Sequence, residues 1–282
     1  MNASSSVPEG QRRASYVVGP ITFPKRHVSD QRLKPYMDAT YDDEEKAMIL
    51  YVWGRKLSAS IFHDVSILEV ALHNALDRAL VGQYGKEWFR LRLFDKRAFD
   101  QIVTAWESLP APFRDAKPGD GKIRGRLLAG CMFGTWSALL DAGGASGLPA
   151  PCAKVDHDLV WDRSTLLVAF PGARKLAGSE RARLDRDWVH RQVKEVHVLR
   201  DRIAHHESLV NGYPIPGTGQ QNRPPERRTL EDGITACTRL AEMLDQDLAG
   251  FLAEASDTRA LYDADPRHSW GFKFDACPDP GS

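Results

Sequence analysis

The chain is poor in the features that most quickly assign a protein to a class. It has only four cysteines, Cys131, Cys152, Cys237 and Cys277, set far apart and without a C-x-x-C pair. That spacing argues against a zinc knuckle or a disulfide framework and predicts free thiols. It has no excess charge of either sign, since 38 Lys and Arg balance 38 Asp and Glu. A general polyanion coat is thereby excluded, and any site for a polyanion must be local. Long apolar runs are lacking too. The longest, Leu127 to Leu140, stops at Asp141, short of the ~20 residues that span a bilayer. The first residues, MNASSSVPEGQRRASY, have no apolar stretch behind a basic start, so a cytoplasmic, non-membrane protein is expected. Alternating Val, Ile and Thr runs are scarce, and no internal repeat is visible. What remains is a chain of 282 residues, 42% hydrophobic and 27% charged, an ordinary globular composition able to bury a sizeable core.

Apolar residues recur at helical spacing, which predicts an all-α fold. One helix is expected to begin at Asp42–Glu45 and carry Met48, Leu50, Tyr51 and Trp53. A second carries Ile61, Val65, Leu68, Leu72, Leu76 and Ala79, in steps of three and four. Further helices are expected over 95–109, 123–140, 179–208 and 229–255, with loops over 145–158 and 211–225 and a short apolar element between 159 and 172. Residues 1–30 read as a tail, 31–258 as the helical domain and 259–282 as an extension; the tails are expected to be flexible.

Chemistry concentrates in VHVLRDRIAHHE, residues 196–207. On a helix Val189, Val193, Val196, Leu199 and Ile203 form one apolar stripe, and Arg200 falls inside it. A cation turned toward a core needs an anion. Either a carboxylate such as Glu69 fills that need structurally, or a phosphate does. Asp201 and His205 are four apart, so the carboxylate can orient the imidazole and favour its protonated form. Other patterns carry less. His205-His206-Glu207 lacks the spacing of a zincin motif, so no metal and no cofactor is expected. Gly125, Gly130 and Gly134 are followed by no Gly-Lys-Ser/Thr. The basic run from Arg181 to Lys194 is interrupted by acids and reads as mostly a solvated face. Most tryptophans, Trp106 among them, fall at core positions.

The stretch Arg200-Asp201-Arg202-Ile203-Ala204-His205-His206-Glu207 resembles the R-[N/D]-x-x-x-H signature of the HEPN superfamily, and its surroundings resemble the Abi-like (abortive infection) branch. Upstream, FHDVSILEVALHNAL (62–76), Tyr84-Gly85-Lys86-Glu87-Trp88 and FGTWSALL (133–140) follow in that branch's order. The similarity covers about residues 40–250. The family form usually has Arg at His73 and Asn at Asp201. The resemblance implies a HEPN-like helical bundle with additional helices, and metal-independent RNA cleavage in a toxin-type phage-defence system. Arg200 would stabilise the phosphate, His205 transfer protons and Asp201 orient His205; His206 is the reserve, and Glu69 and Arg202 are supporting residues. The implied partners are RNA, a second copy of the chain, and an antitoxin or phage-derived trigger. On an ideal helix Arg200 and His205 point about 140° apart. They converge if the helix ends or distorts between them, near Ala204, or if a homodimer presenting Val198 and His205 on its shared side brings the two together across a two-fold axis, which is the expected arrangement. The alternative is a non-catalytic helical module that senses a phage component or binds RNA or a nucleotide.

Overall fold

A computed structural model describes residues 24–114, 121–219 and 224–271; most of the expected N-terminal tail, the end of the C-terminal extension and part of the 211–225 loop lie outside them. The described residues are predominantly helical, with two small antiparallel strand pairs. No helix among them is long and apolar enough to cross a membrane.

The described residues divide into two units, one formed by 24–57 with 257–271 and the other by those between 58 and 256. The first holds α1 (Asp30–Asp38) and the start of α2 (Glu44–Tyr84). Here Leu33, Tyr36, Leu50 and Trp53 are buried, and Trp53 Nε1 donates to the carbonyl of Leu261 at 2.8 Å. The two helices expected over 42–82 are this single helix α2. The i+3/i+4 rhythm runs unbroken through Ala47, Leu50, Trp53, Leu57, Ile61 and Val65, all buried. Gly54 alone, at a cost of ~1 kcal/mol, does not interrupt it.

In the second unit α3 (Lys96–Glu107) is capped by Asp95, and α4 (Ala111–Arg114) is a single turn. The expected helix over 123–140 is two, α5 (Gly121–Gly130) and α6 (Phe133–Leu139), broken at Cys131–Met132. The start of α6 has no cap of its own; the Glu69 carboxylate of α2 takes the Phe133 backbone N–H. The expected 145–158 loop contains a hairpin, β1 (Gly143–Ala145) with β2 (Lys154–Asp156). The apolar element after it is α7 (Arg163–Ala169).

The helix expected over 179–208 is also divided. α8 (Ala173–Ser179) ends before Arg181, which adopts φ 54°, and α9 (Arg186–Ala204) restarts where Asp185 accepts from the Trp188 N–H at 2.9 Å. The expected 211–225 loop includes β3 (Tyr213–Pro214), paired with β4 (Arg227–Arg228). The last long helix is α10 (Leu230–Leu244) and α11 (Gln246–Ala255), separated by Asp245, whose extended backbone ends one helix while its side chain caps the next. α12 (Thr258–Asp263) follows in the first unit. The second core forms where α9 packs on α6 and α10, and α6 on α3. Val189, Val193, Val196 and Leu199 are fully buried there, as the apolar stripe predicts.

Candidate functional site

The polar side of α9 borders a cleft of about 760 Å³. Helix α6 packs against both α3 and α9, and α3 contributes Arg97 and Gln101 to the lining. From α9 come His190, Lys194, His197, Asp201 and His205. Their steps of 4, 3, 4 and 4 keep them on one face. Gly134 of α6 lets the walls approach, because a Cβ there would sit 3.3 Å from Nε2 of His197.

His197 stacks on Phe133 with ring centroids 5.5 Å apart and an interplanar angle of 16°. Its Nε2 lies 3.3 Å from one oxygen of Asp201. Burial pushes its pKa below the ordinary histidine value, against the pull of Asp201. At His190 burial dominates and Lys194 and Arg186 add to it, lowering the pKa to about 4. His190 is thus a neutral donor and acceptor at physiological pH. The cleft carboxylates are engaged: Asp141 by Arg97, Asp187 by Arg191, and Asp201 by His197 and Arg200. Lys194 is exposed and has no ion pair among the described residues.

Arg200 does not line the cleft. Its charge acts on Glu69 of α2, whose pKa burial raises and the Arg200 charge holds back. The guanidinium is half-buried at 23% exposure, its Nη1 lies 3.3 Å from Asp201, and its Nε is enclosed without a hydrogen-bond partner. Neighbouring His73 lies against Trp136 at 5.7 Å, and burial lowers its pKa. Asp201 therefore joins Arg200 to His197, not to the expected His205.

His205 is the exposed residue that closes α9 and opens onto the cleft with Val198. His206 follows at φ 57°. The Glu207 N–H bonds the Arg202 carbonyl at 3.0 Å, and the His206 N–H bonds that of Ile203 at 2.9 Å. This is a Schellman ending with histidine at the position glycine usually takes. Arg202 reinforces it through a 2.8 Å ion pair with Glu207.

One other histidine lies among acids. The ligand atoms of Asp95, Asp141 and His157 all lie within 4.8 Å of one another. Nε2 of His157 accepts the Asp95 N–H at 3.0 Å, so Nδ1 must donate to the Asp141 carbonyl at 2.9 Å. Both nitrogens are used, leaving no lone pair for a cation, and burial lowers the His157 pKa to about 4. The cluster does not fit a metal and reads as a structural tie.

Comparison with family models, with curated proteins and with solved structures yields no match to this chain. The sequence reading passed over His190, His197, Arg97 and Gln101. The α9 residues were available as a polar stripe opposite the apolar one. The α3 residues were not, because only tertiary packing brings them to the same cleft.

Proposed function

We propose that the chain is an Abi-like HEPN protein, a cytoplasmic RNA endonuclease that needs no metal and acts in abortive infection. The observation that carries this reading is Arg200. It is a half-buried cation with an enclosed, unpartnered Nε, five residues before an imidazole that ends the same helix beside a cleft. Such a cation suits a second anion, and a phosphate supplies one.

Cleavage would proceed by attack of a ribose 2′-oxygen on phosphorus as a base takes its proton, with the 5′-oxygen leaving as an acid protonates it. The products are a 2′,3′-cyclic phosphate and a 5′-hydroxyl. Arg200 would hold the charge growing on the phosphorane. His205 would move protons, and two copies brought together at the C-terminal ends of α9 would supply one base and one acid. This arrangement answers the divergence of Arg200 and His205 by pairing the arginine of one copy with the histidine of its partner.

The test is cleavage of total RNA in EDTA by wild type, Arg200→Ala and His205→Ala, with circular dichroism to verify folding. Loss of cleavage in both folded variants is expected, together with relief of growth arrest on expression. Equal behaviour of all three proteins refutes the reading. It would favour a non-catalytic interaction module, in which the 3.3 Å Arg200–Asp201 pair is structural.

A further inference from the structure

We infer that the cleft along α9 is a track for one strand of RNA, with Lys194 and Arg97 taking phosphates and His190 and Gln101 facing bases, leading the strand toward His205. The inference rests on the nuclease reading and names its substrate as single-stranded RNA.

Charge argues for a polyanion. Asp141, Asp187 and Asp201 are paired with Arg97, Arg191 and Arg200, whereas Lys194 has no ion pair among the described residues; Arg97 is 65% exposed, so it would take a phosphate while paired with Asp141. The lining carries Arg97, Arg186, Lys194 and Arg202 against Asp141, Asp187 and Asp201, an excess of one positive charge in a chain whose net charge is zero, as a local polyanion site requires. Phosphate contacts give affinity, and neutral donor–acceptor groups read base edges. The half-buried neutral imidazole of His190 is such a group, and so is the amide of Gln101.

Shape argues for a single strand. Packed helix axes lie ~8–10 Å apart, so α3 and α9, both seated on α6, have axes at most ~20 Å apart. Side chains give each helix a diameter of ~10–12 Å. The gap between the walls is then at most ~10 Å, too narrow to admit a duplex. Length agrees: from His190 to His205 the helix rises about 22 Å, on the scale of a few nucleotides of extended strand.

The experiment measures binding apart from cleavage. Full-length His205→Ala protein is titrated into end-labelled random-sequence RNA 12-mers and, separately, into a 12-base-pair RNA duplex, read by fluorescence anisotropy at several salt concentrations. Adding Lys194→Ala should weaken single-strand binding about five- to tenfold and lower the salt slope by about 0.7, the loss of one phosphate contact. Adding Arg97→Ala should weaken it comparably. Lys175→Ala, exposed on α8 and outside the cleft, should change nothing. Absence of single-strand binding, equal preference for duplex, or indifference to Lys194 and Arg97 overturns the track. RNA cleavage by wild type combined with indifference to Lys194 removes the track alone. Lys194-dependent binding without any cleavage by wild type removes the nuclease reading alone.

Discussion

The two oxygens of the Asp201 carboxylate serve different partners: one lies 3.3 Å from Nε2 of His197, which lines the cleft, and the other 3.3 Å from Nη1 of Arg200, which does not. One side chain thereby couples the cleft to the half-buried guanidinium. Asp201→Asn removes the charge and leaves the shape. Because the carboxylate is 44% exposed, stability should change by less than about 1 kcal/mol. The carboxylate holds the His197 pKa up, so NMR titration of that imidazole should shift to lower pH. RNA cleavage should fall on the order of tenfold or more through loss of Arg200 positioning. An unshifted His197 titration would contradict the coupling.

Acid should weaken the fold before the carboxylates titrate. His157 and His190 have folded pKa values of about 4, against ~6.5 in an unfolded chain. Above pH 6.5 neither state binds the proton and their contribution is complete. Between pH 6.5 and 4 the unfolded chain takes up protons that the folded chain refuses, so stability falls by ~1.4 kcal/mol per pH unit for each group. His73 and His197, also lowered, act in the same direction, while the raised carboxyl of Glu69 opposes them. Urea unfolding at pH 7.5 and 5.0 should show the drop. His157→Gln should be less stable at pH 7.5 but show a shallower profile.

Histidine in the left-handed region at the end of α9 costs roughly 1–2 kcal/mol that glycine avoids. His206→Gly should therefore raise the unfolding midpoint. If His205 carries the proton transfer, cleavage should survive the change. A stabilised but inactive His206→Gly protein would transfer the role to His206.

Two glycines should respond in opposite directions. A Cβ at Gly172 would collide with the backbone carbonyl of Glu242 in α10, where the Gly172 N–H already bonds the next carbonyl at 3.0 Å. Gly172→Ala should cost about 3 kcal/mol or more. At Gly82, exposed within α2, nothing lies within 4 Å of a Cβ, and Gly82→Ala should stabilise by about 0.5–1 kcal/mol. Thermal unfolding of both variants tests the pair.

Helical character and the buried stripe of α9 were legible because 3.6-residue periodicity is local. The breaks were not. Asp185 and Asp245 look like ordinary surface acids until their carboxylates cap the following helices. The start of α6 depends on Glu69, more than sixty residues earlier, so no local window contains its cause. The end of α9 at Ala204 was hidden because its turn uses His206 where glycine is the usual signal. For the candidate site, the polar stripe could be read from spacing. The Asp201–His197 pair competed with the equally spaced Asp201–His205 pair, and only side-chain placement decided between them.

The opposed directions of Arg200 and His205 also bear on dose. If cleavage needs a centre shared by two copies, as proposed, its rate rises with the square of chain concentration as long as most copies are single. A tenfold increase in expression would then raise RNA damage about a hundredfold. Such a cell would tolerate a low standing level of the protein and be stopped by a burst of it, so the threshold for growth arrest would be set by self-association and not by the strength of the chemistry.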